Sequence, residues 1–194
     1  PLHPPAPTVI VQMRPILFER YARLYDTGAH VVFPSTRRDP PSALDAKLKT
    51  ISRMNLVMAD IEARQVDPDA YAVLLDVDGN IAENIGGNFL LATDGVIRTP
   101  SGRNVLEGVS RGTVIDLARQ LGIPVSYENL TPYDAYNADE AFLTTTSYCV
   151  LPVGKINGQP LRQDVPGPIS KQLLAAWSEL VGVDIFGQAM SHVH

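Results

Sequence analysis

The sequence predicts a mixed α+β domain built around a curved or barrel-like sheet with surrounding helices. Three observations lead there. Short apolar runs follow one another through Asp78-Gly79, Asp94-Gly95 and Asn157-Gly158, dipeptides that favour tight hairpins. Helical segments are interspersed among these runs without strict strand–helix alternation, which argues against a doubly wound parallel sheet. The composition, 45% apolar and 19% charged over 194 residues, is that of a globular chain able to bury one sizeable core.

Taken in order, Pro1–Pro7 is a proline-rich lead-in. Thr8–Met13 reads as a strand broken by Arg14-Pro15, and Ile16–Asp26 as a short helix or crossing segment. Ala29–Phe33 is a second strand-like run, and Arg37-Arg38-Asp39-Pro40-Pro41 a stiff connector, because each proline fixes φ and restrains its neighbour. The segment from Asp45 leads into a helix over Ile51–Arg64, with Met54, Val57, Met58 and Ile61 on one face. Val73-Leu74-Leu75 and Asn80–Glu83 form one hairpin about Asp78-Gly79. Phe89–Ala92 and Val96–Arg98 form a second about Asp94-Gly95. A helix from Ser110 places Val114, Leu117, Ala118 and Leu121 inward and stops at Gly122. Val125–Asn129 is strand-like. Thr131-Pro132 reads as cap and first residue of a short helix through Tyr136. Glu140–Thr144 and Val150–Ile156 are strands. Gly167-Pro168 starts a last helix, Ile169–Val181, with Leu173, Leu174, Trp177 and Leu180 or Val181 towards a core.

Several function classes are disfavoured. Net charge is −5 with no long basic run, so nucleic acid is not an expected partner. No apolar stretch approaches the roughly 18 residues of a membrane helix, and no signal peptide is visible. Cys149 is the sole cysteine, so no internal disulfide can form and a reducing, cytoplasmic setting is expected. The four histidines have no ligand spacing, and no metal is expected. The chain opens on Pro1 and not on methionine, so a preceding segment is expected.

The stretch LLDVDGNIAENIGGN, residues 74–88, carries the chemistry most visibly. Glu83 stands beside Gly86 and Gly87, where bare backbone lets a ligand approach closely. From position alone, an ordinary loop acid would read the same. DGNIAENIGGNFLL resembles the glutamate-bearing segment of the fold type IV pyridoxal-phosphate enzymes, the D-amino acid aminotransferase-like fold. These include branched-chain, D-amino acid and (R)-amine transaminases and aminodeoxychorismate lyase. The likeness runs from about Val9 to Gly182.

That resemblance implies a site for pyridoxal 5'-phosphate, which needs a lysine to bond its aldehyde, an acid on its ring nitrogen and a cradle for its phosphate. LKTISRMNLVMA is similar to the family's lysine segment and assigns Lys49 over Lys47. Ser52 stands where several members have asparagine. Lys49 is expected to be buried, with a depressed pKa. Glu83 matches the ring-nitrogen acid, with a low pKa expected from an adjacent cation. Gly108-Val109-Ser110-Arg111 matches the phosphate segment, where Val109 and Ser110 would offer donors; a plain helix cap by Ser110 is compatible. In Thr144-Thr145-Thr146-Ser147, Thr145 and Thr146 would bind cofactor and Ser147 lie beside substrate, although consecutive threonines also suit a strand. Gly86 and Asn88 complete the expected cofactor contacts. The family's upstream phosphate arginine has no counterpart in this chain.

The resemblance implies an aminotransferase moving an amino group between an amino acid or amine and a 2-keto acid, acting as a homodimer. Residues 1–26 would be the end of a truncated small domain and the interdomain linker, and 27–194 the large cofactor-binding domain. A lyase of the same cofactor class and a non-catalytic anion-binding module are the alternatives.

Overall fold

The expected hairpins close a sheet on itself in the computed structural model, which describes residue 6 and residues 8–193. Its strands are β1 (Ala29–Val32), β2 (Tyr71–Leu75), β3 (Ile81–Asn84), β4 (Gly87–Thr93), β5 (Val96–Pro100), β6 (Val125–Glu128), β7 (Glu140–Thr145), β8 (Cys149–Ile156) and β9 (Gln159–Pro160). They are ordered β3-β2-β1-β8-β7-β4, and β3 also pairs with β4, so these six strands make a closed mixed barrel. β1 runs parallel to β2 and β8, whereas β4 is antiparallel to β3, β5 and β7. β5 and β6 extend the sheet beyond β4.

Turn chemistry accounts for the tight connections. Asp94 and Asn157 take φ of 51° and 47°, each followed by a glycine at positive φ, the left-handed pair that a two-residue hairpin turn requires. β4 is buried on both faces, with Phe89, Leu90, Leu91 and Ala92 all at 1% exposure or less. Phe142, Leu143 and Leu151 from β7 and β8 join them in one core. Each such large apolar side chain contributes about 1.5–3 kcal/mol through burial.

The described α-helices around the barrel are α1 (Leu24–Thr27), α2 (Met54–Val66), α3 (Val109–Gln120), α4 (Pro132–Asn137), α5 (Pro168–Val181) and α6 (Ile185–Met190). α4 starts with the capping box of Thr131 and Asp134. α5 is capped by a buried acid, Glu140, which accepts the N–H groups of Ile169 and Ser170 at 2.7 and 2.9 Å and the Ser170 hydroxyl at 2.9 Å.

The structure departs from the sequence expectations in five places. β3 runs one residue past Glu83, where the expected strand ended, because Val73 pairs with Asn84 and continues the ladder. Thr8–Met13 is not a strand; no described strand pairs with it, and Val9, Ile10, Val11 and Met13 are more than 80% exposed. α2 begins three residues late and packs through Ala59 and Ala63, so its apolar face of Met54, Val57, Met58 and Ile61 points outward. Expected inward residues at two helix ends are exposed: Leu121 because α3 has already ended, and Leu180 and Val181 on the last turn of α5, past the buried Leu173 and Trp177. α6 was not foreseen; its signal is Asp184, whose carboxylate accepts the Gly187 N–H at 2.9 Å. No described helix is long and apolar enough to cross a membrane.

Candidate active site

β3 delivers Glu83 opposite Asn88 of β4, and the turn between them is built by polar side chains. The Asn84 amide donates to the Ala72 carbonyl and accepts the Gly86 N–H. Gly87 has no alternative, since a Cβ there would stand 2.3 Å from the Thr144 carbonyl oxygen. Glu83 itself is 6% exposed. Its Oε1 accepts from Arg38 Nε and its Oε2 from the Leu106 N–H, each at 2.8 Å. Burial pushes its carboxyl above the ordinary range, against the opposing pull of the Leu106 N–H, Arg38 and Arg53. Without the ring cation of a cofactor, desolvation outweighs the pull of Arg38 and Arg53, and the direction is the reverse of the low value expected for this acid with that ring against it.

The connector between β1 and α2 brings up the lysine. Lys49 lines a cavity of about 630 Å³ together with Glu83, and Lys47 does not. Lys49 is exposed at the cavity wall, so the burial expected for it is not provided by the described residues. Arg53, at the start of α2, donates to the Ile85 carbonyl and lines the same cavity.

α3 points its N-terminus at this space. Gly108, Val109 and Ser110 line the cavity, and no side chain caps the helix. The first N–H groups of any helix lack intrahelical partners and carry partial positive charge. A Cβ on Gly108 would meet Asn88 Oδ1 at 2.2 Å, so any larger residue there would displace the Asn88 amide. Arg111 holds the preceding loop in place: it is buried, and donates to the Thr99 hydroxyl at 2.9 Å and the Pro100 carbonyl at 2.6 Å.

The end of β7 contributes Thr144, Thr145 and Thr146 to the cavity wall. Ser147 is not on that wall. Its carbonyl accepts the Tyr21 hydroxyl at 2.7 Å, and the next carbonyl accepts that of Tyr25 at 2.9 Å. Burial pushes the Tyr21 phenol up to about 12, and the hydrogen bond it donates ties down the turn after Thr146.

Thus Lys49, Glu83, Gly86, Asn88, Val109, Ser110, Thr145 and Thr146 surround one cavity, and Ser147 alone among the expected residues stands off it. Asn88 uses its amide N–H to hold the Leu106 carbonyl at 3.0 Å. Sequence reasoning missed Arg38, Arg53 and Asn55 on the same wall, and gave Thr144 no role of its own within the threonine run. The only signal for Arg38 was its place before a double proline, in a segment stiff enough to hold a side chain still.

Comparison with known proteins agrees with this arrangement. The family profile for class IV amino-transferases matches residues 2–156. A branched-chain-amino-acid aminotransferase of Salmonella typhimurium is 30% identical over 158 residues, 80% of this chain and 51% of that protein. Two solved structures overlay well. The branched-chain aminotransferase of Thermoproteus uzoniensis, solved with norvaline, gives a TM-score of 0.74 at 32% identity, covering 81% of this chain and 52% of the other. The Thermobaculum terrenum branched-chain enzyme in its pyridoxal-phosphate form gives 0.77 at 30% identity, covering 88% and 55%. The chain spans about half the length of the curated relatives it matches, 57% and 56% for two of them. A profile match over most of the chain, with a shared barrel in the solved relatives, establishes that it belongs to the class IV aminotransferase family.

Proposed function

We propose that this chain is the cofactor-binding part of a pyridoxal-phosphate-dependent transaminase, moving an amino group between an amino acid or amine and a 2-keto acid. The observation that carries the reading is the meeting of Lys49, Glu83 and the uncapped start of α3 on one cavity wall. The residues suit the cofactor on independent grounds. Among the described residues, Thr144 Oγ1 and Asn55 Nδ2 are buried without hydrogen-bond partners, and both residues line the cavity. A native protein rarely leaves such atoms orphaned unless a ligand or water serves them. Two glycines at which a Cβ would clash, Gly87 and Gly108, keep the backbone bare on the same wall.

Bound there, pyridoxal phosphate would supply an electron sink for charge developing on the substrate's α-carbon. Lys49 Nζ would bond the cofactor and, when released, move a proton to and from that carbon. Glu83, held by Arg38 and the Leu106 N–H, would keep a proton on the ring nitrogen through its negative charge. The Val109 and Ser110 amides and the hydroxyls of Ser110, Thr145 and Thr146 would hold the phosphate. Gly86 and Asn88 shape the wall between these groups, and Ser147 would face substrate from the adjoining turn.

The names borne by the relatives favour branched-chain amino acids as substrates, over D-amino acids or (R)-amines. We also infer a homodimer. The outward apolar face of Met54, Val57, Met58 and Ile61 supports a partner there. Residues 27–194 would form the large domain, with 1–26 the end of a small domain and its linker. A single cysteine accords with a cytoplasmic enzyme. The test is reductive trapping: borohydride added after pyridoxal phosphate should fix the cofactor on Lys49, as read by peptide mass. Trapping on other lysines alone would overturn the reading.

A further inference from the structure

We propose that Arg38 is the positioning residue for Glu83, and that it registers the connector carrying Lys49 against the strand carrying that acid. The proposal rests on the reading above for what Glu83 is positioned to do. Arg38 lies in an irregular segment, yet it is only 7% exposed. Its backbone N–H donates to the Leu75 carbonyl at 2.9 Å, tying it to the end of β2. Its Nε donates to Glu83 Oε1 at 2.8 Å, while Nη1 lies 3.7 Å from the Asp39 carboxylate. Asp39-Pro40-Pro41 follows, so the connector leaves this anchor with little freedom.

The contact reaches further than one ion pair. Glu83 Oε2 accepts the Leu106 N–H, and the Leu106 carbonyl accepts the Asn88 amide at 3.0 Å. Glu83 and Asn88 are cross-strand partners. One line of hydrogen bonds therefore joins the lysine-bearing connector, the acid-bearing strand and the loop that feeds the start of α3. A carboxylate can accept about four hydrogen bonds. Glu83 uses two on these contacts, which leaves capacity for a third donor in the cavity. A buried Arg–carboxylate pair adds little to stability, because desolvation offsets the attraction; placed on the cavity wall, it is accounted for by orientation of the acid. The other charged groups around Glu83 are Arg53 at the start of α2, Glu107 and Arg111 on the α3 side, and Lys49 on the connector.

Arg38→Met, Glu83→Gln and the double variant would be compared, with pyridoxal phosphate as the probe. The first readout is the protonation of Glu83 without cofactor, followed by the infrared carbonyl band that Glu83→Gln removes. Arg38→Met should raise the pH at which this band titrates by about one unit, a tenfold change in proton affinity. Arg38→Lys, which keeps the charge and loses the planar fork, should raise it less. The second readout is turnover with pyridoxal phosphate. Arg38→Met should lose at least about tenfold alone and almost nothing further in the Glu83→Gln background, the non-additivity expected of residues acting through one another. An unchanged titration in Arg38→Met, or a full loss in the Glu83→Gln background, would overturn the proposal. If Arg38→Met does not fold, the same cycle is run with Arg38→Lys, and the double variant has no lone buried carboxylate to unfold it. The titration is read without cofactor, so failure of pyridoxal phosphate to bind would sink the transaminase reading and leave the Arg38 result standing.

Discussion

Glu83 and Glu140 are equally buried, each 6% exposed, and they have different surroundings. Glu140 commits both oxygens to α5: two backbone N–H groups and a hydroxyl, with no ion pair among the described residues, at a place that Gly167 closes tightly enough for a Cβ to strike the carboxylate. It does not line the cavity that Glu83 does. Glu83 meets one backbone N–H, one guanidinium and open space. A scaffold acid is consumed by its donors. A working acid is oriented by them and left with a free side.

That separation can be tested at several points, the largest effect first. Lys49→Ala should abolish reductive trapping of pyridoxal phosphate and cut turnover by at least about a thousandfold, while Lys47→Ala keeps both nearly intact. Assay of the two variants side by side decides it, and equal losses would mean that the connector and not a particular amine is what matters. Glu140→Ala should cost about 2–3 kcal/mol of stability, the loss of a helix cap with charge-assisted bonds. Denaturant unfolding measures it, with turnover per folded molecule unchanged below the transition. A Glu140 variant with normal stability would erase the distinction from the scaffold side.

Ser110→Ala and Thr146→Ala should each weaken pyridoxal phosphate binding by about 1–2 kcal/mol, one bond to a charged group. Titration of the dissociation constant reads this directly, and unchanged affinity in both would move the phosphate elsewhere. The smallest effect is on pH. Because Glu83 has a raised pKa in the folded cofactor-free chain, the stability it contributes is full below the ordinary carboxylate value of about 4.3. That share is lost as pH rises through the folded value. Glu83→Gln should remove this slope and leave the rest of the pH–stability curve in place.

Much of this was legible in the chain because turn chemistry is local. Asp94-Gly95 and Asn157-Gly158 set their hairpins wherever they occur, and the periodic burial of Val114, Leu117 and Ala118 marks α3. Barrel closure was legible only as curvature, since the pairing of β3 with β4 depends on register and not on composition. The site residues were found through similarity, and the structure then gathered all but Ser147 around one cavity. Arg38 escaped notice because nothing local distinguishes it from Arg37. Only the fold turns one arginine towards Glu83 and the other to the Pro34 and Ser35 carbonyls. The exposed face of α2 misled for a related reason: periodicity shows that a face is apolar, not what covers it.

The decisive experiment is Glu83→Gln, measured for folding, trapping and turnover in one preparation. An amide fills the same space and its single oxygen can still accept from Arg38, while its NH2 group gives up the Leu106 N–H, so the fold, at some cost in stability, and the borohydride-trapped cofactor on Lys49 should persist. Without the carboxylate charge, the proton on the ring nitrogen is no longer held, and turnover should fall by about a hundredfold or more, about 3 kcal/mol on the barrier. Near-normal turnover with intact trapping would be incompatible with this role, because Glu83 would then be a second scaffold acid like Glu140.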